Sequence, residues 1–264
     1  MILRRLGALA FAGLVGLCSI AVGHTLASPR RSVPSRVTSS RATRKWSLVA
    51  LGDSVPRGTN CDCRPYPPLT ADRLSATTGK TVTATNDSVA GYTTSNVVKQ
   101  LSSDRDVIRH VRGATIVEIE IGANDVAYSK SCGTAVDCYA PKVPTIEKNL
   151  TAIVKRTRQL AGRRALIVLL DYWSVWLGGK YAAAKGQAYV NAAAEMTDRV
   201  NDVIKSIAKQ TGSAYVDLRA AFKGPDYSYD ETHYLSSDGD HPNAAGHEKI
   251  ATTTESVIEK ALHI

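Results

Sequence analysis

From residue 46 onward, segments with the pattern of β-strands alternate with segments with the pattern of helices. The strand-like segments are WSLVALGDS (46–54), TVTATNDSVAG (81–91), ATIVEIEIGAND (114–125), RALIVLLDYW (164–173) and SAYVDLR (213–219). Apolar residues at helical spacing or helix-ending glycines mark the segments between them and the segment after residue 243. Strict alternation predicts an α/β fold, a three-layer α/β/α sandwich in which helices cover both faces of a five-stranded parallel sheet.

The N-terminal segment has the features of a secretory signal peptide. Arg4 and Arg5 precede an apolar run over residues 6–22, and Thr25 and Ala27 place small residues where a signal peptidase reads them. We predict that residues 1–27 are cleaved near Ala27 and that the mature protein is extracellular. The alternative is an uncleaved helix that anchors the protein to a membrane, although the run is short for a spanning helix.

Residues 28–45 have the composition of a disordered basic linker, with six Lys or Arg residues and no Asp or Glu. The formal net charge is +9, but residues 1–45 contain eight of the 33 basic residues and none of the 24 acidic ones. The predicted domain, residues 46–264, is therefore nearly neutral, and its charge does not predict a nucleic-acid partner. The linker could make weak contact with an anionic cell surface, and a monomer is expected.

Four cysteines follow the predicted signal peptide: Cys61, Cys63, Cys132 and Cys138. An even number of cysteines in an exported chain indicates disulfide bonds. We favour a Cys132–Cys138 bond, which leaves Cys61–Cys63 as a tight pair; bonds that link one pair to the other are the alternative. The C-x-C and C-x5-C spacings do not match those of structural zinc sites, so we expect no metal.

Polar residues and glycines follow three of the predicted strands and precede the last predicted helix. GDS (52–54) ends the first strand, a glycine at 91 the second and GAND (122–125) the third, and DGDH (238–241) follows the fifth. The carboxyl ends of parallel strands meet at one edge of a sheet, where α/β proteins place their sites. These motifs are therefore predicted to lie together although they are far apart in sequence.

The residue types in these motifs are those that serine hydrolysis needs. A hydroxyl attacks the substrate, an imidazole accepts its proton, and a carboxylate orients the imidazole. Ser54, His241 and Asp238 could have these roles, and the i, i+3 spacing of the last two lets one loop supply both. The backbone N–H groups of Ser54 and Gly91 and the side-chain amide of Asn124 could stabilise an oxyanion.

Taken together and in this order, the motifs resemble the four sequence blocks of the SGNH hydrolases, also called the GDSL esterase/lipase family: GDSVPRG (52–58), the glycine at 91, GAND (122–125) and DGDHPN (238–243). The resemblance covers residues 46–250. It implies a flavodoxin-like fold and ester hydrolysis without a metal or cofactor. It also implies that Ser54, Asp238 and His241 form a catalytic triad. The oxyanion hole that it implies is formed by Ser54, Gly91 and Asn124.

The chain differs from the family's sequence pattern only at positions that carry no reacting group. Val55 replaces the leucine of the family name, and the third block reads GAND where GGND is common. We predict a secreted serine ester hydrolase that cleaves acyl lipids or small acyl esters. A polysaccharide O-acetyl esterase is the alternative, and a non-catalytic cell-surface or carbohydrate-binding module is a third interpretation because fold alone does not fix function.

Several side chains near the motifs have no fixed role at this level. His247 is predicted to be structural or exposed on the last helix, which Pro242 and Asn243 are predicted to start and cap. Three aromatic residues after the fourth predicted strand could line an acyl or sugar pocket or pack in the core: Tyr172, Trp173 and Trp176.

Overall fold

The computed structural model describes residues 45–264. The predicted signal peptide, its alternative as a membrane anchor and all but the last residue of the predicted linker lie outside these described residues. Five parallel strands form one sheet in the order β2-β1-β3-β4-β5. The strands are β1 (Trp46–Gly52), β2 (Val82–Asn86), β3 (Ile116–Glu120), β4 (Leu166–Leu170) and β5 (Ala214–Val216). The strand order reverses beside β1, which is where α/β sheets of this order open a crevice.

Helices cover both faces of the sheet, so the predicted three-layer α/β/α fold is confirmed. One layer contains α2 and α10, and the other contains α3, α4, α6 and α8. Within residues 45–264 the α-helices are α1 (Ser54–Arg57), α2 (Tyr66–Thr78), α3 (Thr94–Ser103), α4 (Arg105–Gly113), α5 (Val136–Tyr139), α6 (Val143–Ala161), α7 (Gly179–Ala183), α8 (Gln187–Thr211), α9 (Leu218–Lys223) and α10 (Ala244–Leu262).

The apolar pattern of the sequence explains which elements form the core. The central strands β1, β3 and β4 are buried along most of their length, as expected for a parallel sheet covered on both faces. On α8, Met196, Val200 and Ile204 are buried at four-residue intervals, which places them on one face of the helix. Gly212 ends α8 in the left-handed conformation at φ 63°.

Two glutamates of β3, Glu118 and Glu120, are fully buried. Burial raises the pKa of both carboxyls well above the usual range. The charge of Asp53 also raises the pKa of Glu120. The acidic residues therefore do not mark an exposed face of the sheet, as an alternating pattern would otherwise indicate.

Two disulfide bonds join Cys61 to Cys63 and Cys132 to Cys138, with Cα–Cα distances of 5.0 and 5.8 Å. The structure thus has the two local pairings. The second bond lies in the segment between β3 and α6, where the Tyr139 hydroxyl donates a hydrogen bond to the Gly133 carbonyl at 2.9 Å. Disulfide and tyrosine together fix this segment beside the site described below.

The sequence pattern does not predict α4. Only Val107 and Val111 of this helix are buried, and most of its other residues are polar or charged. Its start is fixed by the Asp104 carboxylate, which accepts hydrogen bonds from the N–H groups of Asp106 and Val107 at 3.0 and 3.1 Å. Within residues 45–264, no helix combines the length and the hydropathy needed to cross a membrane.

Candidate active site

The turn from β1 into α1 places Ser54 at the edge of the sheet. A Cβ at Gly52 would collide with the backbone carbonyl oxygen of Glu120, so only glycine allows β1 and β3 to approach this closely. The Asp53 carboxylate accepts a hydrogen bond from the Val55 N–H at 3.1 Å and caps α1. Ser54 is the first residue of α1 and is half-buried.

Asp53 stabilises this turn through two hydrogen bonds to its side chain. Its side chain is buried, and its second oxygen accepts a hydrogen bond from the Tyr172 hydroxyl at 2.6 Å. Burial raises the pKa of Asp53 to about 6, and the hydrogen bonds from Tyr172 and Val55 limit that rise. Tyr172 therefore connects the end of β4 to the turn that carries Ser54, a role that the sequence alone does not reveal.

Asp238 and His241 form a close pair in the loop before α10. The Asp238 Oδ2 atom lies 2.7 Å from His241 Nδ1, and its Oδ1 atom accepts the His241 backbone N–H at 3.1 Å. Asn243 caps α10 by accepting the Gly246 N–H at 3.1 Å, as predicted. Because Nδ1 faces the carboxylate, the other ring nitrogen of His241 is left for a reacting group.

Asn60 is a residue of this pair that sequence reasoning missed. Its side-chain amide donates to Asp238 Oδ2 at 2.5 Å from a position 178 residues earlier. Burial would raise the pKa of Asp238, but the hydrogen bonds from Asn60 and His241 outweigh burial and lower it to about 2. Asn60 has φ 59°, a left-handed conformation that asparagine tolerates better than most residues, but nothing in the sequence marks this asparagine as a partner of Asp238.

The loops after β2 and β3 are tied together at the same edge. Asn124 donates a hydrogen bond to the Tyr92 carbonyl at 3.0 Å, and Asp125 accepts the Thr94 N–H at 2.9 Å. Gly91 precedes Tyr92 in the left-handed conformation at φ 78°. A Cβ at Gly91 would meet nothing within 4 Å, so it is the backbone angle that favours glycine here.

A cavity of ≈ 480 Å³ brings most of the predicted site residues together. Ser54, Asn124 and His241 line it; Asp238 lies behind His241, and Gly91 is exposed and not part of the lining. The three aromatic residues after β4 are buried and also line this cavity, so they serve both the pocket and the core: Tyr172, Trp173 and Trp176. We call it the first cavity.

The segment with the Cys132–Cys138 disulfide forms one wall of the first cavity. Tyr128 and Lys130, just before this disulfide, line it. The Trp176 ring packs edge-on against Tyr128 at 5.3 Å between centroids, and its Nε1–H donates to the Val126 carbonyl at 2.7 Å. The cavity thus combines aromatic side chains with polar groups, as small-molecule sites do.

His247 does not line the first cavity and is fully buried. Of the two predictions for this residue, structural or exposed, burial supports the structural one. Among the described residues, side chains that could ligate a metal come together at Cys61, Cys63 and His247. The two cysteines of that group form a disulfide. None of the three lines the first cavity.

Comparison with solved structures shows the same fold in several proteins. The lipase Lip_vut3 from a goat rumen metagenome is 20% identical with a TM-score of 0.63 over 80% of this chain and 97% of that chain. TesA is 19% identical with a TM-score of 0.57 over 81% and 99%. Axe2, an acetylxylan esterase from Geobacillus stearothermophilus, is 20% identical with a TM-score of 0.58 over 83% and 94%.

The comparison with curated protein sequences gives no significant match. Residues 50–249, however, match the sequence profile of the GDSL-like Lipase/Acylhydrolase family. The matched range contains all four motifs, which the structure brings to one edge of the sheet. The chain therefore belongs to the GDSL-like Lipase/Acylhydrolase family and is a carboxylic ester hydrolase.

Proposed function

We propose that this protein is an exported serine hydrolase in which Ser54 is the nucleophile, His241 the general base and Asp238 the residue that orients the base. The observation that carries the proposal is the 2.7 Å contact between Asp238 and His241 beside a cavity that Ser54 also lines. The low pKa of Asp238 supports the assignment because an ionised carboxylate stabilises the imidazolium that forms in the reaction.

The reaction proceeds in two halves. His241 Nε2 accepts the proton of the Ser54 hydroxyl while Ser54 Oγ attacks the ester carbonyl carbon. The tetrahedral intermediate collapses, the alcohol leaves with the proton from His241, and an acyl-enzyme remains. Water then attacks the acyl carbon, His241 accepts a proton from this water, and the acid leaves as Ser54 is restored.

The oxyanion is proposed to bind the Ser54 N–H, the Gly91 N–H and the Asn124 side-chain amide. Asn124 uses one amide hydrogen for the Tyr92 carbonyl, which fixes the amide and leaves its second hydrogen for the oxyanion. Donors fixed in advance do not need to reorganise during the reaction and lower the barrier most effectively.

The substrates proposed are acyl lipids or small acyl esters, with O-acetylated polysaccharide as the second candidate. The aromatic lining of the first cavity supports an apolar acyl group, and both a lipase and an acetylxylan esterase have the same fold. Export through a signal peptide over residues 1–27 is supported by the two disulfides, which suit an oxidising compartment. A monomer, with weak cell-surface contact through residues 28–45, completes the proposal.

Hydrolysis of p-nitrophenyl esters from acetyl to palmitoyl tests the proposal. We expect wild type to cleave at least the short esters and Ser54→Ala to lose activity by roughly a thousandfold or more because no other group replaces the nucleophile. Ser88→Ala is the matched control: its hydroxyl is buried with no hydrogen-bond partner among the described residues, and activity should be retained.

The chain-length optimum distinguishes a short-chain esterase from a lipase. Activity of Ser54→Ala near that of wild type would overturn the nucleophile assignment. A folded wild type that cleaves none of these esters would instead support the third interpretation, a binding module without catalysis.

A further inference from the structure

A second cavity of ≈ 440 Å³ adjoins the first. The two share Trp173, Ser174 and Leu177 in their lining. Small side chains of α7 and α8, such as Ala182 and Ala193, form part of the second cavity's lining. Residues 173–177 therefore lie between the space at Ser54 and this second space.

Aromatic side chains stand exposed along these two cavities. Among the described residues, three tyrosine side chains are exposed: Tyr128, Tyr227 and Tyr229. Tyr128 lines the first cavity, and Tyr227 and Tyr229 line the second. Tyr229 is 62% exposed, which for an aromatic ring is a large apolar face left to water. Each of the three therefore presents part of its ring to one of the two cavities.

The segment that carries the two tyrosines, residues 224–231, is held in place. We call it the tyrosine loop. The Tyr229 ring packs against Gly224, where a Cβ would lie 2.7 Å from the ring, and the Tyr229 N–H donates to the Lys223 carbonyl at 2.8 Å. Lys223 in turn pairs with the buried Glu231 at 2.7 Å. The ring is thus positioned before any ligand arrives.

Tyr227 is held in an uncommon conformation. Its φ of 61° lies in the left-handed region, which costs a bulky residue on the order of 1–3 kcal/mol. Its ring lies under the Arg219 guanidinium at 4.6 Å, and Arg219 also forms an ion pair with Asp198. Such strain persists only where the surroundings impose it, and it is typical of functional sites.

The exposed charged residues at the second cavity favour a sugar over a hydrocarbon chain as its occupant. Five charged side chains line it: Lys180, Arg219, Lys223, Asp230 and Glu231. Arg219, Lys223 and Glu231 are already in ion pairs, but Lys180 and Asp230 are exposed, and an acyl chain would remove water from these two without offering them a hydrogen bond. A sugar ring has C–H faces that pack on tyrosine and hydroxyls that replace the lost water.

We propose that the second cavity is a sugar subsite and that the substrate is an O-acylated oligosaccharide, with its acyl group at Ser54 and a neighbouring sugar ring on Tyr229. This proposal rests on the proposed ester hydrolase function. It assigns the tyrosine loop as a determinant of specificity for the alcohol part of the ester.

Two substrates test the subsite by kinetics: acetylated xylotetraose and p-nitrophenyl acetate, which has no sugar. For Tyr229→Ala we expect the ratio of kcat/KM for the tetraose to that for p-nitrophenyl acetate to fall roughly five- to tenfold, the effect of one lost stacking contact. The loss should be in KM, because the ring contacts bound substrate and transition state alike. Tyr229→Phe keeps the ring face and should keep the ratio.

A binding measurement makes the subsite testable even if the ester hydrolase proposal fails. Ser54→Ala prevents turnover, so calorimetric titration with unmodified xylotetraose reports binding alone. We expect weaker binding when Tyr229→Ala is added and unchanged binding when Tyr229→Phe is added.

Two results would overturn the sugar subsite. One is an unchanged kinetic ratio together with equal tetraose binding in Ser54→Ala with and without Tyr229→Ala. The other is a Tyr229→Ala effect on p-nitrophenyl octanoate relative to acetate with none on the tetraose, which would assign the cavity to an acyl chain. A wild type that cleaves no ester but binds xylotetraose through Tyr229 would contradict the hydrolase proposal and leave the sugar subsite supported.

Discussion

Asp238 depends on a residue that no sequence motif connects to it. The Asn60 amide donates to the same carboxylate oxygen that contacts His241, so it helps to keep that oxygen ionised and aimed at the imidazole. Asn60 is exposed and touches no reacting atom, which makes it a positioning residue. Because the Asn60 backbone is left-handed, substitutions at this position can be chosen to separate loss of the hydrogen bond from backbone strain.

Substitution of Asn60 is expected to lower kcat. Asn60→Gly removes the hydrogen bond without straining the backbone, and we expect kcat to fall roughly tenfold as one hydrogen bond to a charged group is lost. The pKa of Asp238 should also rise without this donor. The acidic limb of the kcat–pH profile is therefore expected to move to higher pH.

Asn60→Ala is the companion variant. It loses the same hydrogen bond but keeps a side chain that disfavours the left-handed region, which costs about 1–2 kcal/mol of stability relative to Asn60→Gly. The two variants should therefore match in kcat and differ in unfolding free energy. A kcat of Asn60→Gly equal to that of wild type would show that Asp238 needs no support from Asn60.

At the level of elements, the disulfide segment between β3 and α6 links stability to the wall of the first cavity. Loop-closure entropy predicts that the double variant Cys132→Ser with Cys138→Ser loses about 2 kcal/mol of unfolding free energy. The pair Cys61→Ser with Cys63→Ser closes a shorter loop and should lose less, about 1.5 kcal/mol. Urea unfolding of both double variants measures the difference.

The two double variants should also differ in kinetics. Tyr128 and Lys130 line the first cavity next to Cys132, whereas Cys61 and Cys63 line neither cavity. KM for p-nitrophenyl acetate is expected to rise only in the Cys132 and Cys138 variant, since its wall becomes mobile. An equal rise in both variants would mean that the disulfides act through global stability.

The elements that the sequence predicts are those with a strong local pattern. The apolar run of β4 and the periodic face of α8 depend on neighbouring residues alone, and both form as expected. The helix α4 was missed because Asp104 rather than an apolar stripe defines its start. The contacts of Asn60 with Asp238 and of Tyr172 with Asp53 join residues far apart in sequence, so only the fold reveals them.

At the scale of the whole molecule, buried ionisable groups decide how stability changes with pH. Burial raises the pKa of Asp171 to about 7 and that of Asp53 to about 6, from a usual value of 3.8. Each carboxyl binds its proton more tightly in the folded state, so its contribution to stability falls as pH rises from about 4 through these values. Burial lowers the pKa of His247 to about 4 from 6.5, and its contribution rises over that interval. The shifts of Asp53 and His247 are similar in size and opposite in effect. Burial also raises the pKa of Glu118 and Glu120, so these two carboxyls act in the same direction as Asp171 and stability falls as pH rises.

The unfolding free energy of wild type is therefore expected to be higher at pH 5 than at pH 7.5, and Asp171→Asn should reduce this difference. Asp171 accounts for roughly 2–3 kcal/mol over this interval, because one pKa unit corresponds to about 1.4 kcal/mol. Asparagine cannot ionise, yet its oxygen can still accept the Leu218 N–H that Asp171 accepts at 2.6 Å. Asp226→Asn is the control: this exposed carboxylate has a lowered pKa, titrates below the interval and should leave the pH dependence unchanged. Urea unfolding at pH 5 and pH 7.5 measures the unfolding free energy of each variant. The same pH dependence in Asp171→Asn and wild type would show that Asp171 ionises as freely in the folded state as in the unfolded state.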